Sequence, residues 1–407
     1  MNIPPELCTR CKGYKKLCGL SRCPILESFQ AQVRTYMRLS GLTAQGSTPP
    51  SVLVGEAGYP NVTLHFMIPV GVYGEEARAF EDPVGWSRSR VGIDHIIRYR
   101  SELLSGQLKV RVDRPEVLYE KELGLVAISE KPVDSELRLT KAPIPALRFD
   151  GITKPIGPRA PAEEIRVTGN PSVPRAIERA FFEELKAEEG ARELYFRGVD
   201  VYPIQRLLSL GFMGKRGRRK VVPTRWAITA VDDIVSRGVR ERLRGAQEGS
   251  SFEVYYGEYL GDKFLIFFKP GPGRFEWIEV WQPRSFWATS SPKPVLWKVE
   301  ENSLGEATAS DGGFSAARLA ILEFMLRRGR RWDVAILREI TPGYYAPVGS
   351  WHIRETVRRT LESPPVLREP TREEIRQEAE SRMSPEALKH LGELKLLKRQ
   401  IKLTDFM

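Results

Sequence analysis

Residues 252–283 read FEVYYGEYLGDKFLIFFKPGPGRFEWIEVWQP. Aromatic and aliphatic residues alternate with polar ones, and LGD and PGPG interrupt the run where a chain reverses. The stretch therefore reads as strands of an antiparallel meander. Farther on, Gly312 and Gly313 precede Ser315 and the apolar run AARLAILEFMLRR, a Gly-rich loop opening a helix. Upstream, SVLVGE and NVTLHFMIP are strand-like, whereas VGIDHIIRYRSELLSG and RAIERAFFEELKAEE carry apolar residues at helical spacing. Residues 28–361 thus form an α+β body, a mixed sheet with interspersed helices. A Gly/Ser/Pro-rich stretch, GLTAQGSTPPS, sets off the segment before it.

The chain has 407 residues, 41% hydrophobic and 28% charged, enough to bury a large core. Its net charge of +11 favours a polyanionic partner such as DNA and says nothing about fold. The sequence holds no apolar run long enough to span a membrane. Its first residues, MNIPPELCTRC, lack the basic-then-apolar design of a signal peptide. The expected location is the cytoplasm.

All four cysteines fall in CTRCKGYKKLCGLSRC, as Cys8, Cys11, Cys18 and Cys23. Tetrahedral zinc takes four thiolates, and a Cys-x2-Cys knuckle presents two of them on one tight turn, about 2.3 Å from the metal. Residues 1–27 are therefore read as a structural zinc module. Two disulfides or buried thiols are the alternatives, and a reducing cytoplasm disfavours the first.

After Leu361 the texture changes. ESPPVLREP reads as a stiff linker, Thr371 and Glu374 as a capping box, and Ser384-Pro385 as the start of a second, Leu- and Lys-rich helix. Residues 362–399 are expected to be linker and helical stalk, delivering a free tail at 400–407. In that tail Gln400, Leu403, Phe406 and Met407 match the pattern Gln-x-x-aliphatic-x-x-aromatic-aromatic, with Met407 in the last aromatic place. The pattern resembles the PIP box that docks on the PCNA-type DNA sliding clamp. One turn of 3₁₀ helix would stack Leu403 and Phe406 into a single plug.

Within the body, GKRGRRK puts Lys215, Arg216, Arg218, Arg219 and Lys220 on a glycine-hinged loop suited to phosphate contact, helped by RRGRR at 327–331. Next comes VVPTRWAITAVDD. Arg225, Asp232 and Asp233 are candidates for a charged catalytic or metal pocket, or the two aspartates cap the helix that IVSRGVRERL suggests. The glycine turns GEAGYPN and SDGGFS are candidates for cradling phosphate, or ordinary turns. His95 and His352 show no metal-ligand or triad spacing. No Walker loop, HExxH or nucleophile elbow is present.

The cysteine quartet and terminal box, together with SVLVGEAGYPNV, RRKVVPTRWAITAVDD and DGGFSAARLAILE, resemble the archaeal Nre family of DNA repair proteins, in its branch with an N-terminal four-cysteine zinc finger. The resemblance covers essentially the whole chain. It implies a role in DNA damage repair with the tail binding PCNA, and supplies no reaction. An enzyme acting on nucleotides or nucleic acid, a nuclease or glycosidic-bond hydrolase using the pocket near Arg225, Asp232 and Asp233, is the alternative.

Overall fold

The computed structural model of the chain describes residues 5–19, 23–120, 122–145, 157–288 and 291–397. Among them, two mixed sheets carry the α+β fold. The first is built from β1 (Thr43–Thr48), β2 (Leu53–Val54), β3 (Asn61–Pro69), β4 (Leu103–Arg111), β5 (Val133–Leu139) and β6 (Arg159–Val167), in the order β1-β5-β6-β4-β3-β2. Its pairs are antiparallel except β4 with β6.

The second sheet contains β7 (Gln247–Glu248), β8 (Glu253–Tyr259), β9 (Asp262–Pro270), β10 (Phe275–Trp281), β11 (Val295–Glu301), β12 (Arg330–Ile340) and β13 (Leu367–Arg368). Their order is β11-β10-β12-β9-β8-β13, with β7 beside the start of β12. The meander expected at 252–283 is only half there. β8 and β9 are a hairpin, closed by Leu260 and Gly261 at φ 53° and 86°, the left-handed pair that a two-residue turn requires. β10 does not lie beside β9. Instead β12 inserts between them, antiparallel to β9 and parallel to β10. From Trp332 to Ile340, β12 is buried at every position, which suits it to a central place.

Both faces of this sheet are covered, so FLIFF reads as an unbroken apolar run. Phe264, Ile266 and Phe268 face the helices Thr224–Leu243, Gly312–Arg328 and Trp351–Glu362. Leu265 and Phe267 face Ile375, Ala379, Met383, Ala387 and Leu394 from the C-terminal segment. Each such buried side chain contributes about 2 kcal/mol.

That second contact corrects the expected stalk. Thr371 and Glu374 do form a capping box on the helix Arg372–Arg382. Ser384, however, caps only Pro385–Leu388, and 3₁₀ turns follow at Leu391–Glu393 and Lys395–Leu397. Apolar residues that seemed to belong to a projecting helix are spent on the sheet. The linker ESPPVLREP likewise contains β13, paired with β8. Gln400, Leu403, Phe406 and Met407 lie outside the described residues.

Three local readings also shift. GLTAQGSTPPS is strand β1, where Gly46 passes so close to the carbonyls of Pro69 and Val72 that a side chain has no room. VGIDHIIRYRSELLSG is helical only over Ile93–Glu102 and passes directly into β4. RAIERAFFEELKAEE breaks after Phe182, where Glu183 is extended, before a second helix Ala187–Phe196.

Candidate functional site

Two of the strings that stand out in the sequence meet in space. The backbone N–H of Val54 donates to Thr224 Oγ1 at 2.8 Å, anchoring the loop after β2 to the first turn of the 224–243 helix. From that loop Glu56 accepts from Arg225 Nη1 at 3.3 Å and from Trp226 Nε1 at 3.1 Å. Tyr59 lies against Trp226 with ring centroids 6.0 Å apart. The two rings are 52% and 48% exposed, and the Arg225 side chain is 82% exposed. GEAGYPN forms one side of an aromatic and cationic rim.

Behind this rim lies a cavity of about 520 Å³ between the first sheet and the helices that cover the second. β3 and β4 contribute His65, Met67, Leu103 and Ser105 to its wall. The helix Val201–Ser209 contributes Tyr202, Gln205 and Arg206, the 224–243 helix Arg225 and Ile228, and the 351–362 helix Trp351 and Arg354. The lining is mostly apolar, with four arginines against one acid, Glu81. Glu81 is already engaged: Arg100 donates to it from Nε at 3.1 Å and Nη2 at 2.7 Å, and from Nη1 to the Val348 carbonyl at 2.6 Å.

Each cation in the wall is held differently. Arg354 is paired with Asp232, both essentially inaccessible to water. Gln205 donates to the other oxygen of Asp232 at 3.0 Å, so this one carboxylate clasps three helices. Burial pushes the Asp232 carboxyl up, opposed by Arg354 and Gln205. Arg354 is itself held in its charged form by Asp232 against the cost of burial. We read the contact as an ion pair, because its guanidinium cannot give up its proton within the protein.

Arg206 has no such partner. Its Nε is shut off from solvent and meets no acceptor among the described residues. Burial pushes the group down to about 10, while Glu81 and Asp200 act on it only by longer-range attraction. It still carries its charge at neutral pH. His65 shares a 2.9 Å hydrogen bond between Nδ1 and Ser105 Oγ. Burial, then Arg159 and Lys109, push His65 down to about 4, so the imidazole is neutral at pH 7.

The sequence candidates separate accordingly. Arg225 stands at the rim, and Asp232 is a structural clasp behind the wall. Asp233, next along the helix and turned about 100° away, faces outward to Arg318 and Arg237. The aspartates do not cap a helix, since theirs begins at Thr224, and they do not form a paired-carboxylate site. Arg206 and His65 carry no sequence signal: neither belongs to a motif or a charged run.

Of the basic loop, Lys215, Arg216, Arg218 and Lys220 are exposed, with Arg216 3.4 Å from Glu184. Arg219 is a tether, donating to the carbonyls of Gly214 and Phe181 at 2.8 and 2.7 Å. RRGRR is largely structural. Gly329 ends its helix at φ 63°, Arg328 pairs with Glu253, and Arg330 and Arg331 donate to the carbonyls of Glu248 and Ala246. In SDGGFS both glycines lie inside the first helical turn, and Asp311 accepts from the Phe314 N–H at 2.6 Å. His95 is on the surface beside Asp94. His352 is buried against Asp262.

Cys8 and Cys11 are buried on the helix Pro5–Cys11, and Cys23 precedes the helix Pro24–Met37. No disulfide joins the four cysteines. Burial pushes the Cys23 thiol up, N–H bonds from Leu26 and Ile25 oppose this, and Cys18 and Cys11 add to the rise. Cys11 and Cys18 are thus both within electrostatic reach of Cys23. Among the described residues no group of three or more His, Cys, Asp or Glu side chains stands in metal-binding geometry.

Fold and site define a two-sheet α+β protein with an arginine-lined cavity at the junction of the sheets and an exposed aromatic rim. Residues 17–288 match the family model described as archaeal Nre, N-terminal, and residues 300–406 the one described as archaeal Nre, C-terminal. The chain belongs to the archaeal Nre family. It is 33% identical over 365 residues to the DNA repair protein NreA of Archaeoglobus fulgidus, covering 88% of this chain and 89% of that protein. It is 33% identical over 347 residues to the NreA of Haloferax volcanii, covering 83% and 82%. The DNA repair protein NreB of Archaeoglobus fulgidus is 33% identical over 356 residues, covering 86% and 87%. No solved structure matches.

Proposed function

We propose that this protein is a DNA repair factor that meets DNA at the cavity rim and is brought there by a PCNA-type sliding clamp. The rim carries the DNA reading: two half-exposed aromatic rings beside an exposed guanidinium are what unstacked bases and their phosphates require. The names of the relatives, DNA repair proteins, point the same way. The exposed cations Lys215, Arg216, Arg218 and Lys220 extend the positive surface for sequence-independent phosphate contact.

Recruitment rests on the tail, where Gln400, Leu403, Phe406 and Met407 supply the plug and side-pocket hydrogen bond of a clamp-binding peptide. Tethering raises the local concentration of DNA without demanding tight affinity from the body. No described helix is long and apolar enough to cross a membrane. We place the protein in the cytoplasm, on the chromosome when clamp-bound. The four thiols are our proposed ligands for a structural zinc ion, because they are the soft donors that zinc prefers. A single zinc per chain by elemental analysis is the expected content.

Co-elution with the clamp tests recruitment. Removing residues 400–407 should abolish it with the melting temperature unchanged, and Phe406→Ala should weaken it by about 1–3 kcal/mol. Undiminished co-elution of the truncated chain would falsify the tail reading. The cavity also favours a second reading, an enzyme acting on nucleotides or nucleic acid, because it places neutral His65 against Ser105 beside unpaired Arg206. Turnover of a nucleic-acid substrate that His65→Gln removes, with folding intact, would establish it.

A further inference from the structure

We infer that the cavity is the binding site for one nucleoside monophosphate unit, free or drawn out of a DNA strand, with Arg206 as its phosphate anchor. The inference rests on the DNA repair reading for the nucleotide class. Its core is a mismatch between charge and partners within the wall.

A guanidinium drawn away from water is stabilised by an anion, and several arginines among the described residues have a carboxylate. Arg338 has Asp262 and Glu279, Arg318 has Glu301 and Asp233, and Arg358 has Glu323. Arg206, which lines the cavity, has no carboxylate within ion-pair distance among the described residues, and its Nε is shut off from solvent without an acceptor. Ser51 also lines the cavity, and its buried Oγ meets no partner among the described residues. Glu81, the acid of the lining, is bound on both oxygens by Arg100. The wall therefore offers a positive charge and a hydroxyl to an incoming anion, with no carboxylate free to repel it.

An inorganic anion alone would leave most of the space unfilled. About 520 Å³ falls within the range of sites for small organic molecules, roughly 300–1,000 Å³. Met67, Leu103, Ile228 and Trp351 give that space apolar walls suited to the flat face of a base. Neutral His65 and Ser105 supply hydrogen-bonding groups for its edge without adding charge. Next to Arg225, which lines the cavity, the exposed rings of Tyr59 and Trp226 offer stacking surface for other bases of a strand whose single nucleotide has been drawn inward. A cationic anchor, apolar walls and exposed aromatic rings next to Arg225 are three separate features that one nucleotide unit would use.

The test is calorimetry on the full chain, titrated with deoxynucleoside 5′-monophosphates, the matching nucleosides, inorganic phosphate and a short single-stranded oligonucleotide. At least one monophosphate should bind, with nucleoside and phosphate each at least about tenfold weaker, and Arg206→Met should weaken it about ten- to a hundredfold. Because no protein partner is lost, Arg206→Met should melt no lower than the parent. Ile228→Trp, which fills the cavity from its apolar side, should also abolish binding.

Oligonucleotide affinity that falls with Arg206→Met while free monophosphates stay silent assigns the unit to the strand and supports the site. Monophosphate affinity unchanged in Arg206→Met, phosphate binding as tightly as any nucleotide, or a lowered melting temperature in Arg206→Met overturns it. Oligonucleotide binding that ignores Arg206, with monophosphates silent, defeats the cavity and leaves the repair reading standing. Monophosphate binding without any affinity for DNA does the reverse.

Discussion

The clasp at Asp232 and the anchor at Arg206 sit on opposite sides of one cavity wall and treat a buried charge in opposite ways. At the clasp, Asp232 pairs with Arg354 and takes a further hydrogen bond from Gln205. At the anchor, the partly buried Arg206 has no carboxylate partner among the described residues, and its Nε is shut off from solvent. The difference separates charge that holds the fold from charge held in reserve for something outside it. A buried pair is costly to break because the surviving partner keeps its desolvation penalty. A buried charge without a partner has no such bond to lose.

The largest test of that contrast is Asp232→Ala. It strands Arg354 and should cost about 3–5 kcal/mol in denaturant unfolding. A loss below about 1 kcal/mol would mean that the clasp is not the ion pair described here and would erase the contrast.

A smaller effect is expected from pH. His65 faces Arg159 and Lys109 with no carboxylate to favour its protonation, and its value near 4 lies below the unfolded value of about 6.5. The unfolded chain therefore takes up the proton first, and stability is lost as pH falls from 6.5 towards 4. The variant His65→Gln should escape this component. Urea midpoints at pH 7.5 and pH 5 should show the parent losing about 1 kcal/mol more than the variant, discounted for partial exposure. Equal losses would mean that the cavity supports an imidazolium and is less cation-biased than it looks.

The smallest effect on the fold belongs to the basic loop. Replacing Lys215, Arg216 and Arg218 by Gln should leave stability within about 0.5 kcal/mol, since these side chains are exposed. The slope of log affinity for DNA against log salt should flatten by about 2. An unchanged slope removes the loop from the interface and leaves the rim to act alone.

What could be read in advance divides by sequence distance. The β8–β9 hairpin was legible because its turn is local, as was the Thr371–Glu374 cap. The insertion of β12 between β9 and β10 was not, because a parallel neighbour is chosen by burial on both faces rather than by a turn. Asp232 was misread as a cap because Thr224, Trp226, Ile228 and Thr229 are weak helix formers. Packing against three neighbouring helices starts the helix well before the aspartates. At the site, GEAGYPN and VVPTRW each stood out, but nothing in either announced that Glu56 bridges them. The visible basic runs misled in part: Arg219, Arg328, Arg330 and Arg331 serve the fold, whereas Arg206, outside any basic run, lines the cavity.

Glu56 carries one more implication. A single carboxylate is divided between Arg225 and Trp226, so one exposed acid both steadies the indole and offsets part of the neighbouring positive charge. Such exposed contacts are worth little, typically less than about 1 kcal/mol. A phosphate that displaces Glu56 from Arg225 would consequently gain the full charge of that guanidinium at small cost.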